Sequence, residues 1–284
     1  MYSQNLRTLI CLAFAFRMGT FYFLFAYRLI RVVKMEENVL YEAIFKRKSI
    51  RNYDSAPLSQ ELLDQVAGKL RNLRSMNSRI KTEFKIIAPD QVRRAMKKAP
   101  HYIAAFSAAD EGYGANVGFM LQQMDLYFSS TGLGSCWLGI PVPTKEVVES
   151  SNLEYVILMS FGNSKEPLHR SSVSEFKRKA LSEITDIKDA DELLEPARLA
   201  PSAVNHQNWY FTGAKSMIQA YSLKPGFFGN LLGGKLHPIN VGIAVCHLQI
   251  AAEHFGHKAA IVFEEEKDRK PLRDREYVAS LKIE

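Results

Sequence analysis

Residues 116–132, NVGFMLQQMDLYFSSTG, and residues 240–256, NVGIAVCHLQIAAEHFG, are two readings of one pattern. Each opens on Asn-Val-Gly, and each reaches a glycine sixteen residues on, Gly132 and Gly256. Val117, Met120, Leu121, Met124 and Phe128 fall where Val241, Ala244, Val245, Leu248 and Ala252 fall. That spacing of i, i+3, i+4 and i+7 is the buried face of a helix. The chain therefore holds two copies of a long core helix.

Working outward, the flanks repeat as well. Phe45-Lys46-Arg47-Lys48 returns as Phe176-Lys177-Arg178-Lys179, near the start of each copy. Ser75 and Phe84 stand nine apart, as do Ser202 and Phe211. Three matches in one order define a duplicated unit of about 125–130 residues. Residues 35–172 form the first half and 173–284 the second, behind an extension at 1–34. Each half reads as helix, helix, strand, long helix, strand. β-Branched and aromatic runs place strands at Glu83–Ile87, Tyr102–Ser107 and Tyr155–Phe161, and again at Trp209–Thr212 and Ala259–Glu264. The expected class is α+β, with helices flanking modest sheets. Two like halves should pack as the subunits of a symmetric dimer do, with a ligand cleft between them.

Chemistry should lie where the copies diverge. The first half has Arg47-Lys48-Ser49-Ile50-Arg51, whereas the second has Arg178-Lys179-Ala180-Leu181-Ser182. Arginines flanking a serine at the end of a short helix can fork onto a phosphate; a solvated basic helix end would look the same. The second half has Pro201-Ser202-Ala203-Val204-Asn205-His206-Gln207-Asn208-Trp209, where the first reads Arg74-Ser75-Met76-Asn77-Ser78. Small residues let backbone approach a flat ligand, and Asn205 and Gln207 supply amides suited to a heterocycle edge. An ordinary capped loop remains the alternative. Taken together, one cleft keeps a phosphate end from the first half and a ring end from the second. The other cleft keeps only the altered copies, so one working site per chain is expected.

Composition sets the remaining bounds. The 284 residues are 47% hydrophobic and 24% charged, as in an ordinary globular protein. The net charge of +7 includes five basic residues and no acid within 1–34, and without those five it falls to +2. A nucleic-acid face would need clustered excess charge in the body, so none is expected. Cys11, Cys136 and Cys246 are too few and too scattered for a disulfide framework or a zinc site, which suits a reducing cytoplasm; no metal is expected. Residues 9–30 are apolar and aromatic but carry Arg17 at their centre. They read as a poor membrane anchor, a surface helix, or sequence upstream of a start at Met35. Glycines and apolar side chains from Leu223 to Gly234 read as a substrate flap or a plain surface loop. His206 is a possible proton donor to product or a plain surface histidine, and Cys136 and Cys246 read as core residues.

From about Leu40 to Glu264 the chain resembles the nitroreductase family of flavoproteins. The resemblance rests on Arg-x-Ser-x-Arg at 47–51, Ala-Arg-x-Ala-Pro-Ser-Ala-x-Asn-x-Gln-x-Trp at 197–209, and Gly132-Leu133-Gly134-Ser135-Cys136-Trp137-Leu138-Gly139. It is similar to a single-chain branch in which duplication mimics the family homodimer, which implies a monomer. The resemblance implies FMN as cofactor, NADH or NADPH as reductant, and a small acceptor such as a quinone or nitroaromatic, served in ping-pong order. It implies that Arg47, Lys48, Ser49, Arg51 and Arg170 hold the phosphate. Pro201, Ser202, Ala203 and Asn205 would line the flavin ring, with Gln207 ordering their loop. Trp137, Leu138, Gly139 and Ile140 would run along the opposite edge, with a backbone N–H near Gly139 aimed at N5. Two departures stand out: Asn208 replaces a proline common before the tryptophan, and Ile140-Pro141 follows Gly139 where many members carry an acid or a glycine. A flavin storage protein, or another flavin reaction on the same fold, would carry the same motifs.

Overall fold

The computed structural model describes residues 38–95, 98–224 and 236–284. The extension at 1–34 and most of the Leu223–Gly234 segment lie outside the described residues. In the first half, residues 38–44 are helical (α1), followed by α2 (Gln60–Arg71), β1 (Thr82–Ile87), β2 (Val92–Arg93) and β3 (His101–Ser107). Then come α3 (Tyr113–Ser130), β4 (Gly134–Leu138), β5 (Val142–Pro143), α4 (Lys145–Glu149) and β6 (Glu154–Gly162). The second half runs α5 (Leu181–Ile184), α6 (Asp191–Arg198), β7 (Trp209–Ala214), β8 (Met217–Leu223), α7 (Leu236–His254), β9 (Ala259–Val262) and β10 (Arg275–Ile283).

The expected strands are present; β4, β8 and β10 join them in the larger sheets, and β2 and β5 form a small pair of their own. Gly134–Leu138 carried a motif and was not read as a strand. β8 is hidden behind the tight turn after Gly213, whose φ of 105° only glycine adopts freely. β10 carries Glu276 and Lys282 and so lacks an unbroken apolar signal.

Each half builds one four-stranded antiparallel sheet, in the orders β1-β3-β6-β4 and β7-β8-β10-β9. Numbered within its own half, each sheet has the same order: first, second, fourth, third. The duplication read from the sequence is thus a duplication of topology.

The two long helices, α3 and α7, are buried almost all round and pack directly on each other. Glycine allows the close approach. A Cβ on Gly118 would stand 2.2 Å from the Ile239 carbonyl oxygen, and one on Gly242 would stand 1.9 Å from that of Ala115. Ala115 and Ile239 are themselves equivalent, three residues before each glycine. The contact is reciprocal, as in an isologous interface between identical subunits. Each Asn-Val-Gly motif also spends its asparagine alike: Asn116 Oδ1 accepts from Met76 and Asn77 N–H, both 2.9 Å, and Asn240 Oδ1 accepts from Ala203 N–H at 3.0 Å. The paired motif therefore sets both the helix crossing and the position of the loop before each sheet. Residues 40–284 cluster as one compact unit.

Candidate functional site

The basic element begins where α1 ends. Residues 48–52 are not helical and are clamped between the β4 edge and the segment after β6. The Ile50 amide donates to the Ser135 carbonyl at 2.9 Å, and the Ile50 side chain packs on Gly134 where a Cβ would collide. From the other side, the Glu166 carboxylate accepts the amides of Arg51 (2.8 Å) and Asn52 (3.1 Å). The Arg170 amide donates to the Lys46 carbonyl, and its guanidinium to the carbonyl of Arg47.

Within that clamp the predicted phosphate ligands separate into two groups. Arg51 is exposed, and Lys48, Ser49 and Arg170 are half-buried. Arg47 is 1% exposed. Its Nη2 donates to Ser49 Oγ at 3.3 Å. Its Nε lies 2.8 Å from Asp125 Oδ2 but off the N–H direction, an ion pair rather than an aligned hydrogen bond. Arg47 thus stands behind Ser49, with its charge balanced in the interior. Cys136 lies beside the same group, and burial pushes its thiol above the usual range against the pull of Arg51 and Arg47.

Asp125 leads to residues that sequence reasoning missed. Its Oδ1 accepts from Ser135 Oγ (2.7 Å) and its Oδ2 from Gln122 Nε2 (3.0 Å). The other Gln122 amide hydrogen points to His247 Nε2 at 2.9 Å, while Gln122 Oε1 accepts from the Trp137 indole N–H at 3.2 Å. Indole only donates and carboxylate only accepts, so the orientation of Gln122 is fixed. His247 Nε2 must then accept, and its Nδ1–H donates to the Pro196 carbonyl at 2.9 Å. Burial, with Arg47 and Arg178 nearby, drives the His247 pKa down to about 3 against the Pro196 bond, keeping the ring neutral. The chain from Arg47 through Asp125 and Gln122 to Trp137 and His247 joins both halves. Gln122, Asp125 and His247 carried no signal of their own in the sequence, lying within helices read only for their apolar faces.

The ring-end loop is held as tightly. Ser202 Oγ accepts the Gln207 amide (3.0 Å), and Gln207 Nε2 donates to the Asn205 carbonyl (3.0 Å). Pro201 is buried, Ser202 and Ala203 are half-buried, and Val204, Asn205 and His206 are exposed. Val204, Asn205 and Gln207 have φ of 46°, 58° and 48°, a left-handed conformation that costs a non-glycine residue on the order of 1–3 kcal/mol. Asn208, in place of a proline, is buried: its Nδ2 donates to the His237 carbonyl and its Oδ1 accepts from Asn240, both across to α7. The amides therefore supply the rigidity that a proline would otherwise give.

The loop and the basic element converge through Phe176. The Arg170 guanidinium stands 4.0 Å and that of Arg178 5.6 Å from its ring centroid. Arg178 feels burial first, then Arg47, Arg170 and Arg198, and its pKa falls to about 10. Burial and Arg47 lower Arg170 as well. Their mutual repulsion leaves this end of the site strongly positive. At the other end, Gly139 faces Leu236, whose Cδ1 would lie 3.1 Å from a Cβ there, and His206 packs edge-on against His237 at 5.1 Å. Gly139 and Ile140 are exposed. Cationic groups at one end and an open backbone edge with a rigid amide loop at the other match the donor set of a flat phosphorylated cofactor. A separate cavity of about 470 Å³ between α2, β1 and Met120 is lined by none of these residues.

A family described as "Putative TM nitroreductase" matches residues 39–252, most of the chain. The chain belongs to the nitroreductase family. That membership makes it a flavin-dependent oxidoreductase with FMN as its cofactor. Its fold is similar to that of a "putative nitroreductase" from Thermotoga maritima, 21% identical, with a TM-score of 0.58 over 86% of this chain and 93% of that one. It is also similar to a Desulfovibrio desulfuricans "putative nitroreductase in complex with FMN" (21% identity, TM-score 0.38, 51% and 93% covered). A Clostridium difficile "FMN-dependent nitroreductase" gives 19% identity and a TM-score of 0.38, with 46% and 91% covered. None of the curated proteins matches the chain. Among the described residues of this nitroreductase-family chain, no helix is long and apolar enough to cross a membrane.

Proposed function

We propose that the chain binds one FMN between its halves and oxidises NADH or NADPH in ping-pong order, passing the electrons to a small acceptor such as a quinone or nitroaromatic. The meeting of Arg170 and Arg178 at Phe176, with Arg170 bonded to the Arg47 carbonyl and the 201–207 loop attached to Arg178, carries this reading. Bound FMN supplies reversible hydride acceptance at N5. The protein's own residues bind and orient. Arg51, Lys48, Ser49 and Arg170 face the phosphate, and Arg47 fixes Ser49 from behind. Pro201, Ser202, Ala203 and Asn205 form the wall along the ring, and Gln207 holds that wall in shape. Trp137, Leu138, Gly139 and Ile140 form the facing edge, with Trp137 anchored by Gln122. The cationic end also favours negative charge on the bound group.

No side-chain nucleophile is needed. Cys136 is buried with a raised pKa, and burial lowers His206, with His237 and Lys179 adding to the effect. The neutral His206 sits on the loop's open face, where it would contact an acceptor rather than the phosphate.

The aligned residues of the other copy are spent on contacts within the chain. Arg74, at the aligned place of Pro201, makes a bidentate pair with Glu253 of α7 (2.5 and 2.9 Å), and Tyr41 stacks on His254 at 3.7 Å. A monomer in a reducing compartment such as the cytoplasm is the expected setting. The test is titration of the full chain with FMN alongside its molecular mass, then oxidation of NADH or NADPH with a quinone. One FMN per monomer and acceptor-dependent turnover are expected. A chain that binds no flavin sinks the reading, and tight binding without turnover turns it into flavin storage.

A further inference from the structure

The second half's copy of the basic motif, Phe176-Lys177-Arg178-Lys179, has not simply decayed. Arg178 is half-buried, and every side of its guanidinium is directed at the ring-end loop. Nε donates to the Ala200 carbonyl (3.0 Å), Nη1 to Asn205 Oδ1 (2.7 Å) and Nη2 to the Leu199 carbonyl (3.3 Å). Lys179 continues the same rail. Its amide donates to Gln207 Oε1 (2.7 Å) and its Nζ to the Gln207 carbonyl (3.2 Å), while Asn205 Nδ2 returns a bond to the Lys177 carbonyl (2.7 Å). Arg47, the equivalent residue, instead serves a hydroxyl and a carboxylate.

The backbone aligned with Ser49 is likewise spent within the chain, as a helix cap. The amide of Ala180, aligned with Ser49, donates to the chain's own Glu183 carboxylate at 2.7 Å. Meanwhile the loop that Arg178 grips carries the left-handed Val204, Asn205 and Gln207, and Val204 is 97% exposed. A β-branched residue stays in that conformation only where its surroundings over-determine it. The bonds from residues 177–179 are those surroundings.

We propose that Arg178, with Lys179, is a positioning residue: the second copy of the phosphate-binding motif has been turned inward to lock the strained 199–207 loop that forms the ring wall of the single FMN cleft. This rests on the FMN reading above. The same half carries Ala180 and Ser182 at the places of Ser49 and Arg51, so its copy of the motif keeps this holding role without the hydroxyl and second arginine of the first. A half-buried guanidinium under the influence of three other arginines is held by three loop acceptors that match its fork.

The test uses two ligands that differ only in the phosphate, FMN and riboflavin, titrated into the full chain. Arg178→Met should weaken both by the same factor, roughly tenfold to a hundredfold for a lost charge-assisted fork. Arg51→Met should weaken FMN and leave riboflavin nearly unchanged. Adding Val204→Gly to Arg178→Met should recover part of the loss for both ligands, because glycine holds the left-handed turn unaided. Arg178→Lys, which keeps the charge and the fold but not the fork, should fall between wild type and Arg178→Met. Loss of FMN affinity alone in Arg178→Met would make Arg178 a phosphate ligand and overturn the proposal. Unchanged affinity for both ligands would overturn it too, while the FMN reading would stand. A wild-type chain that binds neither flavin would refute the FMN reading, and this inference with it.

Discussion

Replacing Gly242 with alanine tests the pseudo-dimer at its tightest point. The new Cβ would begin 1.9 Å from the Ala115 carbonyl oxygen, with the Ala115 carbonyl carbon and Cα at 2.7 and 2.9 Å. All three atoms are backbone of a helix buried on nearly every side, so no side chain can swing away. Ordinary contact requires α3 and α7 to part by about 1.5 Å, and a gap of that order forfeits more than about half the dispersion well of each atom pair along the crossing. Overpacking of this kind costs about 1–3 kcal/mol, and the lost contacts add to it. Alanine returns about 1 kcal/mol of helix propensity. The net expectation is a loss of about 2–4 kcal/mol, or roughly 4–16 °C in Tm for a chain of this size. Gly118→Ala should behave alike, because its contact is the symmetric one. Gly68→Ala is the control: only Arg71 Nη2, at 3.8 Å, lies near its Cβ, and α2 should gain about 0.4–1 kcal/mol. Urea and thermal unfolding of the three variants give the answer. A Gly242→Ala protein as stable as wild type would refute the close crossing, and with it the packing of the halves as a symmetric pair.

The other expectations concern the buried network and the count of sites. Asp125→Leu strands the Arg47 charge and should cost about 3–5 kcal/mol, whereas the double variant with Arg47→Met should recover most of it; simple additivity in urea titrations would show the two are not paired. His247 has its folded pKa depressed from 6.5 to about 3, so its contribution is complete above about pH 6.5 and is lost as pH falls toward 3. The slope is about 1.4 kcal/mol per pH unit in that window. Wild type should therefore lose about 2 kcal/mol more than His247→Gln between pH 7 and pH 5, and equal slopes would count against a buried neutral ring. FMN titration should end at one per chain, also in Arg74→Ala, because Arg178 and Ala180 remain unfit for a second phosphate; a second equivalent in that variant would show that Arg74 and Glu253 alone had closed the cleft.

The duplication could be read from the sequence because a helix face is a local property. Val117 through Phe128 and Val241 through Ala252 declare their burial by spacing alone. Asn-Val-Gly repeats as a unit because one glycine must meet the other helix and one asparagine must hold the preceding loop, and both needs arise twice. The residues of the candidate site were visible for a similar reason, since Arg47-x-Ser49-x-Arg51 and Pro201 to Gln207 are contiguous. Their division of labour was not. Arg47 and Arg178 sit in identical Phe-Lys-Arg-Lys contexts, yet one is buried against Asp125 and the other is forked into its own loop. That choice depends on acceptors far away in sequence, as does the fixing of Trp137 by Gln122 and His247. Hydrophobic periodicity is written into neighbouring residues, so the sequence alone determined the two halves and their helices. A buried polar group takes its direction from partners that only the folded chain assembles, so the tertiary structure decided that Arg47 is buried against Asp125 while Arg178 is forked into the 199–207 loop.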